Sequence, residues 1–383
     1  MTAPNDRGRV LAEAISELCR RHVTPDYVRR CDDEQRYPEE AMRHVAAAGW
    51  AELATATAPG RVRDLAVAHM VLARHSLAVA QAFYSLWVLG GDMIAREGTE
   101  AQRQEWLPQI AAGEARIAFA LTEPGSGSDA AALKTVALEE GGDFVVNGQK
   151  VFTTGAAVAD AIIVVARTDP APDRHAGLSM LLLDPRLPGV RLNKLSKLGL
   201  RPLDLCEVFL GDVRVPASAV LGQRGDAWAA LGGGLALERA LLAAICVGAL
   251  GQVLEVASAH ARERRAFGRP IGSFQLVSAK LADIKVALEA SRLLTLNAAD
   301  AADRQDPQAP VIAAMAKLHA SEAYVEGARQ ALQVLGGYGF TEDYPLARHY
   351  RDSKFMEIGG GTSEIQRMII ARSLGLGSEG SRS

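Results

Sequence analysis

The sequence predicts an α+β protein in three parts. Residues 1–117 form a helical N-terminal domain, 118–222 a middle antiparallel β domain and 223–383 a C-terminal helical bundle domain. Three observations predict this. Apolar residues recur at helical spacing through the first part. Near Arg116 the texture changes to short apolar runs punctuated by Gly, Asn and Pro. From about residue 225 helical texture returns, and residues 240–254 carry no charged side chain at all. A surface helix would show a charged face at 3.6-residue spacing, so this stretch is expected to be packed on most sides.

In chain order, residues 8–31 are periodic, with Val10, Leu11, Ala14, Ile15, Leu18 and Cys19 on one face. Pro38 begins a short helix that ends before Gly49-Trp50, residues 62–79 give another, and residues 93–107 a further amphipathic piece. Strands are expected at 117–121, 134–138, 144–146, 151–154, 161–166 and 177–183, with an alternating stretch within 200–216. Asn147-Gly148 between two apolar runs reads as a hairpin turn. One helix over 226–260 would be roughly 50 Å long. Long helices follow at 271–295 and from Pro310 to Val334, the second stopping at Gly336-Gly337. A short helix over 345–355 precedes a last one after Gly361, where Ser363-x-x-Gln366 reads as a capping box.

A chain of 383 residues is long for one core and fits two or three domains. A net charge of −3 gives no global argument for nucleic-acid or membrane binding, and neither is expected as a partner. The uncharged run 240–254 is shorter than a membrane span and is read as a buried helix. Cys19, Cys31, Cys206 and Cys246 lack metal-ligand spacing, so free thiols in a reducing compartment are expected, and no metal. The first residues lack an apolar signal core, and residues 375–383 read as a small polar tail. The cytoplasm is the expected location. There is no G-x-G-x-x-G in a βαβ setting, which excludes a Rossmann reading.

Four features invite chemistry, and each has a structural reading beside the functional one. The turn Thr122–Asp129 is either a surface turn or a loop that lets a ligand approach the main chain. Arg264 and Arg265 ahead of Phe267-Gly268 are either a solvated surface or a clamp for a pyrophosphate. Gly336-Gly337 is either a helix cap or part of a site. Gly359-Gly360-Gly361-Thr362 is either a flexible link or an anion-binding helix start.

Their combination and order are specific. Five motifs follow one another: Leu121-Thr122-Glu123-Pro124 with Gly127-Ser128-Asp129; Asn147-Gly148-x-Lys150 leading to Phe152-Thr153-Thr154; Arg264-x-x-Phe267-Gly268 with Gln275; Ala331-x-Gln333-x-x-Gly336-Gly337-x-Gly339; and Gly361-Thr362-Ser363-x-Ile365-Gln366-Arg367. In this order the chain closely resembles the acyl-CoA dehydrogenases over nearly its whole length. These flavoproteins introduce an α,β double bond into an acyl thioester. The resemblance implies an acyl-CoA dehydrogenase-like fold with a C-terminal four-helix bundle, and FAD between the β domain and that bundle. It assigns Leu121 and Thr122 to the isoalloxazine edge, and Gly127 to the same loop. Ser128 goes to the pyrophosphate or the thioester side, Phe152 to the flavin face and Thr154 to the neighbourhood of N5. Arg264, Phe267, Gln275, Gln333, Gly336 and Gly337 would hold the ADP portion, some of them across a subunit interface, with Thr362 and Glu364 bordering it. A homo-oligomer is therefore implied, usually a tetramer and sometimes a dimer.

The reaction needs a base at the α carbon. In many family members it is the Glu immediately before the Gly-Thr of the last motif; here that position is Gly360. The branch resembling isovaleryl-CoA and long-chain acyl-CoA dehydrogenases carries its Glu on the first long helix of the last domain, where this chain has Glu238 followed by Arg239. Glu238 is therefore the expected base, while Arg239, Gly359, Gly360 and Ser128 are expected beside the substrate. Glu357 is out of register by three residues. Two glycines in place of side chains at 359–360 would widen the acyl site, and Gly232-Gly233-Gly234 would either widen it or kink the helix start. Two further departures are Phe152 where the family usually has Trp, and a short connection from Gly49 to Gly60 where it carries a longer loop. The implied substrate is an acyl thioester on CoA or on an acyl or peptidyl carrier protein, as in members that serve polyketide or peptide assembly. The implied electron acceptor is an electron-transfer flavoprotein. The alternatives are an oxidase that passes electrons to oxygen, and a degenerate subunit that pairs with an active one.

Overall fold

The computed structural model describes residues 6–171 and 173–376, so the expected tail beyond Leu376 lies outside the described residues. The N-terminal part holds α1 (Asp6–His22), α2 (Pro25–Asp33), α3 (Glu39–Ala47), α4 (Arg61–His75), α5 (Leu77–Phe83), α6 (Leu89–Glu97) and α7 (Glu100–Ala111). A π turn at Tyr84–Val88 joins α5 to α6 without a break. Three long readings divide here, each at a hydroxyl that caps the next helix. Thr24 accepts from Tyr27 N ahead of Pro25 and separates α1 from α2. Ser76, extended at φ −155°, accepts from Val79 N and separates α4 from α5. Thr99 and Gln102 form a reciprocal capping box and separate α6 from α7. Such caps satisfy the N–H groups that a helix start leaves free.

The middle part is one eight-stranded sheet: β1 (Ile117–Ala120), β2 (Val136–Glu140), β3 (Asp143–Thr154), β4 (Ala161–Arg167), β5 (Leu178–Leu183), β6 (Val190–Lys194), β7 (Leu205–Pro216) and β8 (Val220–Leu221). Its order is β6-β7-β3-β2-β4-β5-β8, with β1 also on β4. The sheet is mixed rather than purely antiparallel, because β1 pairs with β4 in parallel, as does the end of β2. Asn147-Gly148 is not a hairpin turn. It lies within β3 at a bulge, and the β2–β3 turn is Gly141-Gly142. A Cβ at Gly148 would come 2.4 Å from Thr135 Oγ1, so close strand packing explains the glycine. Strand β6 escaped sequence reading because its face is mostly polar and exposed.

The last part holds α8 (Ala227–Glu263), a small hairpin of β9 (Arg265–Ala266) and β10 (Arg269–Pro270), then α9 (Gln275–Asp303), α10 (Ala309–Leu335), α11 (Pro345–Ile358) and α12 (Ser363–Ser373). Helix α8 is continuous through Gly232-Gly233-Gly234, with no break at its start. At 1.5 Å per residue it is about 55 Å long. Every residue from Arg239 to Leu250 is buried, as the uncharged run required. Helices α9 and α10 pack along it, and α4 crosses it from the N-terminal part. A Cβ at Gly248 would come 2.0 Å from Met70 O, so that crossing depends on the glycine. Asp303 of α9 accepts from the Val62 and Arg63 N–H groups at the start of α4, whose own cap position is Gly60. The runs Leu77–Glu97 and Ala227–Glu263 are both long and apolar enough to cross a membrane, but 94% and 72% of their apolar windows are buried in this fold.

The last helix differs from expectation by one residue. Its cap is Thr362, which accepts from Ile365 N, rather than Ser363. The Gln366 amide turns back to donate to the Gly360 and Gly361 carbonyls. All four cysteines are free and buried.

Candidate active site

Gly360 and Glu238 meet. A Cβ built on Gly360 would stand 3.3 Å from Glu238 Oε1 and 2.2 Å from Leu242 Cδ1. Gly360 also lies at φ +64°, a conformation that L side chains rarely adopt. The Glu238 carboxylate thus occupies the neighbourhood that a side chain at 360 would otherwise enter, and Leu242 fills the path to it. The turn that carries Gly360 is held from both sides. Lys317, fully buried on α10, donates from Nζ to Gly361 O at 2.7 Å, and Gln366 donates to both carbonyls.

The two glycines do not leave open space beside the site. The Phe355 ring stands 2.6 Å from a Cβ at Gly359. The Arg96 guanidinium lies 2.9 Å from Cβ positions at Gly233 and Gly234. Gly233, Gly234, Gly359 and Gly360 thus make room for neighbouring side chains, which corrects the expectation that they widen an acyl cavity, whereas nothing lies within 4 Å of a Cβ at Gly232. Arg96 is fixed by Asp92, and Asp92 also pairs with Arg61. Nothing in the sequence singled out this ion network.

Burial raises the Glu238 pKa above the ordinary carboxylate value, opposed by the Tyr84 hydroxyl, Arg239 and Lys317. Arg239 is 6% exposed with its Nε unpartnered, and burial pulls its pKa down. Glu357 is committed elsewhere, to Lys354 at 2.5 Å. Tyr84 was not found from the sequence, because nothing in the run Phe83-Tyr84-Ser85-Leu86-Trp87 distinguishes a core aromatic from one that faces a functional group.

On the sheet side, Leu121 and Thr122 follow β1, and their carbonyls accept from Lys150 Nζ (3.0 Å) and Val151 N (2.9 Å). Glu123 organises the turn, accepting from Lys134 N, Thr135 N and Lys150 Nζ. Burial brings Lys150 down to about 8, with Glu123 acting against it. Gly127, Ser128 and Asp129 stand exposed beyond a buried Ser126 whose hydroxyl has no partner. Phe152 is 60% exposed and sits at φ +60°, beside Thr153, whose buried hydroxyl is also unpartnered. Thr154 ends β3, and a Cβ at the next residue, Gly155, would strike Leu86 of the π turn at 2.5 Å. An outward aromatic held in an unfavourable backbone region next to orphaned hydroxyls is the surface a flat, polar-edged cofactor would complete.

The third group lies elsewhere. Arg264 caps the far end of α8, and its guanidinium is over the Tyr338 ring at 5.6 Å. Phe267 is 94% exposed at the tip of the β9–β10 hairpin, at φ +52°. Gln275, Gln333, Gly336 and Gly337 are also exposed, and nothing lies within 4 Å of a Cβ at either glycine. Glu364 is exposed next to the Thr362 cap. Along α8, Glu238 and Arg264 are about 39 Å apart. The structure therefore brings together Glu238, Gly360 and Lys317, and keeps the Arg264–Phe267 group at a distance.

Three family models cover the chain: acyl-CoA dehydrogenase N-terminal domain over residues 5–114, middle domain over 118–213 and C-terminal domain over 225–375. The chain is 39% identical to the mitochondrial isovaleryl-CoA dehydrogenase of Oryza sativa subsp. japonica, over 74% of this chain and 69% of that protein. Among solved structures, butyryl-CoA dehydrogenase from Megasphaera elsdenii superposes with TM-score 0.92 at 30% identity, covering 98% of this chain and all of that one. The prolyl acyl carrier protein oxidase AnaB gives TM-score 0.91 at 29% identity, over 98% and 100%. The FAD complex of PigA gives 0.92 at 27%, over 98% and 99%.

Proposed function

The chain belongs to the acyl-CoA dehydrogenase family, as an FAD-dependent oxidoreductase, and we propose that it dehydrogenates an acyl thioester with Glu238 as the base. The observation that carries this reading is the 3.3 Å approach of Glu238 Oε1 to the missing Cβ of Gly360. Two positions far apart in sequence serve one point in space, so a carboxylate on α8 does what a carboxylate at 360 would do.

Glu238 removes the proton from the α carbon as the α,β double bond forms. Bound FAD would supply the acceptor for the hydride that leaves the β carbon. Burial raises the basicity of the carboxylate, as proton abstraction from carbon requires. Lys317 and Gln366 hold the 360–361 carbonyls, which keeps the turn from collapsing onto the carboxylate. Leu121, Thr122, Gly127, Ser128, Phe152 and Thr154 offer main-chain and side-chain contacts to the flavin ring side. Arg264, Phe267, Gln275, Gln333, Gly336 and Gly337 offer theirs to the ADP side, with Thr362 and Glu364 at its border.

About 39 Å along α8 is farther than one FAD can bridge. The Arg264 group therefore serves the flavin of a neighbouring copy, which supports a homo-oligomer, a tetramer in preference to a dimer. CoA is the first carrier proposed. A carrier-protein thioester is the second, supported by the short connection from Gly49 to Gly60 and by the likeness to AnaB. Anaerobic mixing of the holoenzyme with acyl thioesters on CoA and on carrier protein tests both. Flavin bleaching is expected with one carrier; no bleaching with any thioester would leave the degenerate-subunit reading standing. Rapid reoxidation by air would favour the oxidase, and slow reoxidation an electron-transfer flavoprotein as acceptor.

A further inference from the structure

Arg96 stands in the last turn of α6, and its guanidinium lies along the start of α8. Nη1 and Nη2 would come 2.9 Å from a Cβ at Gly233 and at Gly234 respectively, so both glycines are needed for it to lie there. Fixed partners hold it. Nε donates to Asp92 Oδ2 at 2.8 Å, and Nη1 donates to Glu97 Oε1 at 2.9 Å and to Ala230 O at 3.3 Å. Asp92 is fixed in turn by Arg61 at 2.8 Å, and Arg61 donates to the Leu53 and Ala54 carbonyls. Arg96 Nη2 has no hydrogen-bond partner among the described residues. A guanidinium presents its donors in a rigid fork, so this one keeps an unused edge. Arg96 is also exposed, so that edge can be reached from solvent.

Gly234 and Glu238 are four residues apart on α8, so they share a face and lie about 6 Å apart along its axis. Leu242, four residues further on, fills the path to Gly360. One stripe of α8 thus carries Arg96 over Gly234, the carboxylate in the middle and the Gly360 turn beyond. The charges along it do not cancel. Asp92 and Glu97 answer Arg61 and Arg96. Arg239, next to Glu238, and Lys317, bonded to Gly361 O, form no ion pair among the described residues. Arg61, Arg96, Arg239 and Lys317 therefore stand against Asp92, Glu97 and Glu238, four cations to three acids. One more anion would balance them.

We propose that Arg96 is a specificity-determining residue. The unused edge of its guanidinium binds an anionic oxygen of the acyl thioester, either a carboxylate on the acyl group or a phosphate of the carrier arm. The planar fork matches both. Asp92, Arg61 and the two glycines fix the guanidinium before any ligand arrives, so little ordering is left for binding to do. A substrate with its α carbon at Glu238 has this edge one helical turn away. The proposal rests on the reading of Glu238 as the base.

Arg96→Met removes the guanidinium and keeps an unbranched side chain. The measurement is the efficiency of flavin bleaching in the FAD-loaded protein at limiting thioester. The substrates are acyl groups of equal length with and without a terminal carboxylate, each on CoA and on N-acetylcysteamine, which has no phosphate. The expected result is a fall of about ten-fold in one preference. It is the preference for the carboxylate-bearing acyl group if Arg96 reads the acyl end, and for CoA over N-acetylcysteamine if it reads the arm. Two unchanged preferences overturn the proposal and leave Arg96 as a tie between α6 and α8. If the Met protein does not retain FAD, Arg96→Lys decides, since it keeps the charge and loses the fork. A reduced preference then supports the proposal, and one equal to the parent's overturns it. If Glu238→Gln bleaches normally, the base reading fails and this proposal falls with it. If Glu238→Gln is inactive while both preferences survive in Arg96→Met, only the Arg96 assignment fails.

Discussion

The two ends of α8 use charge in opposite ways. Near its start, Glu238 is half-buried and Arg239 is withdrawn from solvent, with Lys317 buried nearby and a leucine closing the space between Glu238 and Gly360. At its end, Arg264 and the Phe267 hairpin stand in the open, an arginine over a tyrosine ring and an aromatic with 94% of its surface free. The first arrangement suits a reaction, since dehydration makes a carboxylate a stronger base. The second suits recognition, since an exposed guanidinium and an exposed aromatic gain when something covers them. The two arrangements lie at the two ends of one helix, and on the proposed reading the difference would separate what does chemistry from what holds a cofactor.

Changes at the buried end should affect turnover and spare binding. Glu238→Gln is expected to lower turnover at least ~10²-fold while FAD is retained, measured by anaerobic bleaching against the flavin absorbance of the purified protein. At the exposed end the pattern should invert. Arg264→Ala is expected to weaken FAD retention by about ten-fold, with near-normal bleaching when FAD is in excess. Loss of turnover despite saturating FAD would break the contrast.

Gly360→Ala probes the packing at the buried end. Its Cβ would press on Leu242 at a positive φ, so a stability loss of about 1–3 kcal/mol is expected in denaturant melts. The pH response is the smallest effect. Because burial raises the Glu238 pKa, the folded protein holds that proton more tightly than the unfolded chain does. Stability from this group is therefore present at low pH and falls as pH rises through the folded value. Glu238→Gln should melt slightly higher than the parent at neutral pH and no higher in acid. A melt that drops at neutral pH would mean the carboxylate is a structural ion-pair partner instead.

Much of this was legible in the chain. The charge-free stretch 240–254 announced a buried helix because burial leaves no other composition. The shift in texture near Arg116 marked the sheet for a similar reason. Glu238 was legible only by resemblance, through the vacancy at Gly360. Other features depend on residues distant in sequence. Asn147-Gly148 has turn chemistry, but Thr135 across the sheet decides its conformation. Gly359 reads as open space until Phe355 fills it. Local pattern cannot report a partner that only the fold supplies.

The length of α8 has a genetic consequence. If each active unit takes its base, Glu238, from one copy and its flavin-holding Arg264 from another, two defective alleles broken at these two positions damage different halves of a shared unit. In a mixed assembly, one interface then collects both lesions and another collects none. With FAD limiting, co-expression of Glu238→Gln and Arg264→Ala chains should thus raise activity above that of either alone, and the recovered fraction would report how many copies share each unit.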